Sequence, residues 1–241
     1  RRSSDLITTS MKKGLALIPA RGGSKGIPNK NIKLFNRRPL IEWSIKLALK
    51  SKLIDKVVVS SDSQKILSIS KELGAEVILR PKNISGDNAT TESAISHCIK
   101  YFNNNYETII LLSPTSPLRK KNDLDNAIKF FYSNKLDSCF SGSKLIDFLI
   151  WNYDKIDKKY KRINYDFKNR GNRQNRKVGY VENGSIYIFK PSLIIKKNNR
   201  IGGKFDIFNM DFWQSFEIDE KDDWKLLETI HKTYIMNKYE K

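Results

Sequence analysis

The stretch from Ile18 to Asn31 (IPARGGSKGIPNKN) combines residue types suited to holding an anion. Its glycines let backbone amides approach a ligand closely, while Arg21, Lys25 and Lys30 supply positive charge. It reads as a phosphate cradle. The spacing excludes two common versions. No Gly-Lys-Ser/Thr closes it as in the P-loop, and Gly22, Gly23 and Gly26 fall at the wrong intervals for the dinucleotide fingerprint. The competing structural explanation is a plain turn with solvated lysines.

A cradle of this kind needs a rigid strand before it and a sheet to hang from. Leu15 to Ile18 is an apolar run stopped by Pro19, as in a buried parallel strand feeding a functional turn. Ile41, Ile45 and Ala48 then space a helix, and Val57 to Val59 form a second short strand ending in Ser60, Ser61 and Asp62. Ile66, Ile69 and Leu73 space another helix that Gly74 stops, and Val77 to Leu79 follow as a strand before Arg80 and Pro81. Ala94, Ile95, Cys98, Ile99 and Phe102 mark a helix that Thr90 or Thr91 can cap. A strand at Ile109 to Leu112 leads into a proline-bracketed loop and a helix over Leu124, Ala127, Ile128 and Phe131, with Asp123 as its cap. This alternation predicts an α/β fold with a mostly parallel sheet and helices on both faces.

From about Lys144 to Val178 the periodicity fades into a polar, Asn/Lys/Arg-rich stretch, expected to be an insertion or a mobile flap. Strand signal returns at Ser185 to Phe189 and at Ser215 to Ile218. A final helix runs through Trp224, Leu227, Ile230 and Tyr234. Asp222 and Asp223 are placed to favour that helix's N-terminus electrostatically.

The chain has 241 residues, with 39% hydrophobic and 11% aromatic, enough for one α/β domain with an insertion and too much apolar content for wholesale disorder. The expected division is a tail at 1–10 followed by one domain over 11–241. Lys and Arg number 45 against 26 Asp and Glu, leaving +19, which attracts any polyanion and so decides little by itself. Cys98 and Cys139 lack metal-ligand spacing and read as buried small hydrophobes in a reducing cytoplasm. No apolar run approaches the ~18 residues of a membrane span. His97 and His231 lie in helical patterns and read as structural or surface groups, which leaves no histidine placed as a general base.

The string from Ala20 to Asn31 resembles the signature of the acylneuraminate cytidylyltransferases, the CMP-sialic acid synthetase family, CMP-legionaminate-type enzymes included. The resemblance continues in order through Leu79 to Pro81, Asp87 to Thr91, Leu112 to Arg119 (LSPTSPLR), Asn183 to Tyr187 (NGSIY) and Phe216 to Asp219 (FEID), covering nearly all of the chain from Met11. It implies a Rossmann-like nucleotidyltransferase with a dimerisation insertion, here approximately 144–182, that transfers CMP from CTP to a nonulosonic acid and releases pyrophosphate. By motif position Ala20, Arg21, Gly22, Lys25, Lys30, Asn31, Arg80, Asp87 and Thr91 would bind the nucleotide. Arg21, Lys30 and Asp219 would serve catalysis. Ser113, Thr115, Ser116, Arg173, Gln174 and Asn183 would face the sugar, Arg173 as a bidentate partner for its carboxylate.

The implied reaction has the sugar's anomeric hydroxyl attack the α-phosphate, so positive charge must meet the charge developing on phosphoryl oxygens and leaving group. Mg²⁺ or another divalent cation is the expected aid. Glu217 and Asp219, at i and i+2 of the expected last strand, project to one face and offer it oxygen ligands. The family pattern usually places Asp at both positions, so Glu217 is a departure. Ser113 where Gln is usual, and Glu182 where a basic group is sometimes found, imply a sugar pocket unlike that of the N-acetylneuraminate enzymes.

Residues 155–177 hold ten Lys and Arg with two acids, interleaved with Tyr160, Tyr165 and Phe167. That suits closure over an anionic sugar nucleotide, and equally a nucleic-acid surface. The expectation is a cytoplasmic homodimer acting on CTP and a nonulosonic acid, with no membrane partner and nucleic acid as the weaker reading. Two alternatives stand beside it: a Kdo-type cytidylyltransferase, and a basic nucleic-acid-binding protein.

Overall fold

A computed structural model describes residues 14–24, 26–146, 148–172, 174 and 178–236. Lys25, Arg173 and the segment 1–10 lie outside them. A seven-stranded sheet runs in the order β11-β7-β10-β6-β1-β4-β5. Its members are β1 (Gly14–Pro19), β4 (Lys56–Ser61), β5 (Glu76–Leu79), β6 (Thr108–Leu112), β7 (Ser138–Leu145), β10 (Gly179–Phe189) and β11 (Phe205–Asn209). Only β10 opposes its neighbours; every other pairing is parallel. Two small hairpins stand apart, β2 (Leu34–Phe35) with β3 (Arg38–Pro39), and β8 (Trp151–Asp154) with β9 (Lys159–Arg162).

The strict alternation of strand side chains divides the core. Ala16, Ile18, Val57 and Val59 face one way, against α1 (Leu40–Lys50) and α4 (Asp123–Ser133). Leu15, Leu17 and Val58 face the other, against α3 (Thr91–Tyr101) and α5 (Pro191–Lys197). The helix α2 (Gln64–Glu72) ends where Gly74 takes a left-handed φ of 99° and Ala75 N–H reaches back to the Ser70 carbonyl. Helices therefore cover both faces of a mostly parallel sheet, as the alternation predicts. Cys98 and Cys139 are buried free thiols, pushed up to about 12 by burial.

Three of the differences between the structure and the sequence reading bear on the site. Ser215 to Ile218 is not a strand: a 3-10 turn at Phe212–Ser215 gives way to an extended segment held by one backbone bond, Ile218 N–H to the Thr115 carbonyl at 2.9 Å. Apolar alternation is present there, but no neighbouring strand is available to complete a ladder. Second, β7 and β11 join the sheet although periodicity did not mark them. β7 is built largely of Ser and Gly, and β11 is an exposed edge. Third, Asp123 is the first residue of α4 rather than its cap. Its carboxylate accepts from Lys120 N–H at 2.7 Å and from Gln214 Nε2 at 2.6 Å, and so braces the 3-10 turn.

β1 is the point where strand order reverses. The chain steps from β1 to β4 and β5 on one side, then returns to place β6 on the other. Loops leaving the carboxyl ends of β1 and β6 diverge and leave a crevice between them, the usual ligand position in open α/β sheets.

Candidate nucleotide-binding and transfer site

The cradle leaves β1 along its neighbour, with Ala20 N–H on the Ser60 carbonyl at 2.9 Å and Gly22 N–H on the Asp62 carboxylate at 2.9 Å. Asn31 is buried, and its Nδ2 holds the Arg21 carbonyl at 3.0 Å, tying the two ends of the loop together. The loop then closes on the far end of the chain. A Cβ on Gly26 would overlap the Asp219 carbonyl oxygen, so only glycine fits this approach. Lys30 Nζ donates to the Ile218 carbonyl at 2.8 Å and to Asp219 Oδ1 at 3.1 Å. Underneath, Ile27, Phe35, Leu40, Leu118, Ile218, Trp224 and Leu227 form a separate apolar cluster. It packs the cradle, the 112–119 loop and α6 (Lys221–His231) into one body. Burial of these side chains removes apolar area from water, which supplies the force for this long-range closure.

These elements enclose a cleft of about 770 Å³. On the β4/β5 side Arg21 pairs with Asp87 at 3.0 Å. Arg80 is buried, and its Nε has no hydrogen-bond partner among the described residues. Burial lowers its basicity, Asp62 works against that, and Arg21 adds to it. A buried donor without a partner is costly, so Arg80 has bonding capacity to spare for a ligand. Thr90 caps α3 by accepting from Ser93 N–H at 3.2 Å, leaving Thr91 exposed on the cleft.

On the β6/β10 side Ser113 and Thr115 share a hydroxyl hydrogen bond at 2.8 Å, and the Thr115 hydroxyl donates to Glu217 at 3.4 Å. Glu217 presses on Gly184, whose φ of 66° and lack of a Cβ make room for its carboxylate. Burial, reinforced by the charge of Asp219, raises Glu217 above the usual carboxylate range; Ser116, Arg119 and Thr115 pull it back. Two carboxylates on either side of Ile218, which is turned into the core, are a fitting pair of oxygen ligands for a divalent cation. Among the described residues no cluster of three or more His, Cys, Asp or Glu could hold a metal unaided. The pair therefore matches the Mg²⁺ pattern of one or two carboxylates completed by substrate phosphates and water.

Arg119 is the hidden brace of this wall. It is buried, donating from Nη1 to Ser44 Oγ at 3.0 Å and from Nη2 to the carbonyls of Ser113 at 2.7 Å and Ser185 at 2.6 Å. At the other end Asp223 accepts from Asp219 N–H at 2.9 Å and Glu220 N–H at 2.8 Å, completing a capping box on α6. Asp223 thus serves the helix start and fixes the backbone of the acidic pair.

Of the residues singled out by sequence, Arg21, Lys30, Asn31, Arg80, Asp87, Thr91, Ser113, Thr115, Glu217 and Asp219 line this one cleft. Ala20, Gly22 and Ser116 lie behind its wall as framework. Asn183 does not face it. It is buried, accepting from Ser141 Oγ at 2.5 Å and Ser185 N–H at 3.2 Å, and it supports the register shift of β10 between Glu182 and Tyr187. A side chain with its bonds used in that way is structural, which corrects its assignment to the sugar. Gln174 is exposed and does not line the cleft. Sequence reasoning missed Arg200 altogether, and gave Tyr187 no role although it lies within the NGSIY block; both line the cleft. No signal near Arg200 marks it, because its position depends on how the 198–204 loop folds back.

A parallel sheet with one reversed strand, a glycine-rich basic turn after its first strand and an acidic pair opposite define an α/β nucleotidyltransferase architecture. The cytidylyltransferase family pattern matches residues 15–232, and the chain belongs to that family. It is 30% identical over 229 residues to the N-acylneuraminate cytidylyltransferase of Escherichia coli O18:K1:H7, covering 90% of this chain and 52% of that protein. It is 39% identical over 136 residues to a pseudaminic acid cytidylyltransferase of Campylobacter jejuni, covering 55% of this chain and 59% of that one. The chain thus spans little more than half the length of either relative. A solved CMP:2-keto-3-deoxy-manno-octonic acid synthetase complexed with CTP superposes with a TM-score of 0.70 over 93% of this chain and 100% of its own. At 13% identity that likeness establishes the fold alone.

Proposed function

We propose that this protein transfers CMP from CTP to the anomeric hydroxyl of a nonulosonic, sialic-acid-like acid, releasing pyrophosphate. The observation that carries the reading is the meeting of the basic cradle and the acidic pair in one cleft, with Lys30 3.1 Å from Asp219. Relatives named for N-acylneuraminate and pseudaminic acid support a nine-carbon keto-sugar acid as the acceptor.

In this mechanism Arg21 and Lys30 grip the triphosphate and meet the negative charge that grows on the α-phosphoryl oxygens and on pyrophosphate. Lys25, in the same turn, adds to that grip. Asn31, Arg80, Asp87 and Thr91 hold the nucleoside end, and Ser113 and Thr115 orient the acceptor for in-line approach. Arg173 and Gln174, within the basic stretch 155–177, are assigned to the sugar by motif position alone. Glu217 and Asp219 would hold the divalent cation, which when bound supplies charge neutralisation and lowers the pKa of oxygen ligands.

The exposed apolar groups Trp151, Tyr153, Ile156 and Tyr160 on the β8–β9 hairpin favour a dimerisation role for the insertion at approximately 144–182 within the 11–241 domain. A cytoplasmic homodimer is the assembly proposed. Among the described residues no helix is long and apolar enough to cross a membrane.

The test is pyrophosphate release from each of the four common NTPs with Mg²⁺ and a panel of keto-sugar acids. Release that needs both CTP and a nonulosonate supports the reading. Turnover confined to Kdo would move the protein to the eight-carbon class. Absence of CTP turnover, with tight salt-sensitive binding to duplex DNA or RNA, would replace it with a nucleic-acid-binding role driven by the +19 charge.

A further inference from the structure

The wall of the cleft beneath β10 carries Arg200 and Tyr187, each bonded to a glutamate outside the lining, and the transfer chemistry uses none of the four groups. Arg200 lies 4.4 Å over the Tyr187 ring and pairs through Nη1 with Glu92 on α3. The Tyr187 hydroxyl donates to Glu182. Stacking on the ring and the ion pair with Glu92 together fix the plane of the guanidinium. Its Nε is buried and has no partner among the described residues. Arg200 nevertheless lines the cleft with its side chain 22% exposed, so a charged donor already held in place by its two neighbours faces any ligand there.

Topology sets Tyr187 apart from the nucleotide, whereas Glu92 follows Thr91 on α3 and so brings Arg200 to the border between the two substrates. Arg21 and Arg80 follow β1 and β5, whereas Tyr187 stands on β10, across β6 from them. The charge balance identifies what belongs here. Glu92 and Glu182 bring two negative charges against the one positive charge of Arg200, so the local sum disfavours another anion. The acceptor's carboxylate is on the same carbon as the reacting hydroxyl, so it stays near the α-phosphate. A neutral oxygen at the far end of the sugar meets no such repulsion.

We propose that Arg200 is a specificity-determining residue that donates to an acylamido carbonyl of the acceptor sugar, with Tyr187 and Glu92 holding it in place. The inference rests on the transfer reaction proposed above. A hydroxyl at the same sugar carbon ends two bonds short of the carbonyl oxygen, so a fixed guanidinium separates acylated acceptors from hydroxylated ones.

The test compares wild type with Arg200→Met, which keeps a long apolar stem on Tyr187 and removes the donors. Probes are N-acetylneuraminate, a diacetamido legionaminate-type acid, and the nine-carbon 3-deoxy-2-keto acid with a hydroxyl replacing the acetamido group. The hydroxyl analogue is read as a substrate or, where it is not turned over, as a competitive inhibitor. Loss of a hydrogen bond from a charged donor should lower kcat/KM for the acylated acceptors about tenfold or more, change the hydroxyl analogue less than about twofold, and leave KM for CTP alone. Equal loss for all acceptors, or none, overturns the assignment. Should Arg200→Met not fold, Arg200→Lys keeps the Glu92 pair without the planar guanidinium and should shift the acceptor ratio in the same direction. Failure of wild type to use any nonulosonate with CTP would instead sink the transfer reading itself, and is visible before any variant is made.

Discussion

Lys30 and Asp219, 189 positions apart in the chain, lie 3.1 Å from one another inside the cleft. The lysine also holds the carbonyl of Ile218 at 2.8 Å, so one ammonium group joins the cradle to both the backbone and the carboxylate of the acidic segment. Removing the carboxylate tests chemistry more than folding, because Asp219 is 72% exposed and an ion pair this open contributes less than about 1 kcal/mol. Asp219→Ala should lower CTP turnover at least about tenfold with little change in Tm. Arg21→Ala should do the same by loss of phosphate charge. Near-normal rates in either folded variant would withdraw that residue from the mechanism.

Gly26→Ala places a methyl group on the Asp219 carbonyl oxygen. The loop must then lift from the acidic segment, at a cost of about 1–3 kcal/mol typical of overpacking. Expected are a lowered denaturation midpoint and a KM for CTP raised about tenfold or more, measured by chemical denaturation and steady-state kinetics. Gly23, whose added Cβ would meet nothing within 4 Å, is the control: Gly23→Ala should leave the unfolding free energy within about 0.5 kcal/mol of wild type.

Arg119 is held by three acceptors, and burial pushes its guanidinium down to about 10, still charged at neutral pH. Arg119→Met takes the shortest hydrogen bond from each of the carbonyls of Ser113 and Ser185, leaving them only longer ones of 3.3–3.4 Å, and should destabilise the fold by roughly 3 kcal/mol. Arg119→Lys restores a charge without the fork and should recover only part of that loss. Full recovery of wild-type stability in Arg119→Lys would mean that the bidentate geometry contributes nothing.

His231 is fully buried between Phe35 and Trp43, and its Nδ1 meets Asn36 Nδ2 at 3.1 Å. Burial, with a smaller push from Arg38, lowers its pKa to about 4. The unfolded chain takes up this proton near pH 6.5 and the folded chain only near 4, so the unfolded state binds more protons between those values. Stability contributed by the neutral ring is present above about pH 6.5 and falls, by about 3 kcal/mol in all, as the pH drops towards 4. Denaturation midpoints across that window should decline less steeply in His231→Leu. A parallel decline would assign the pH dependence to other groups.

Much of the parallel core was legible because buried strands are short β-branched runs and their helices carry clean apolar spacing; Leu15 to Ile18 and Val57 to Val59 announce themselves. β7 did not, because Ser138, Ser141, Gly142 and Ser143 pair through backbone atoms that leave no trace in hydropathy. The Ser215 to Ile218 segment looked like a strand because alternation reports which face a side chain takes, and says nothing about whether a neighbour exists to complete a ladder. The same blindness to environment sent Asn183 to the sugar when its bonds belong to the β10 bulge.

What the amino-acid order determined alone was the local chemistry: a glycine-rich basic turn behind a buried strand, carboxylates at alternate positions, a cap on α3. These depend on residues a few places apart, whose geometry the backbone dictates. Tertiary structure alone decided that Gly26 lies beneath Asp219, that Arg119 braces two strands, and that Arg200 reaches the cleft. Those contacts join segments brought together by burial of the Ile27–Phe35–Ile218–Trp224 cluster, and hydrophobic burial has no direction that could be read along the chain.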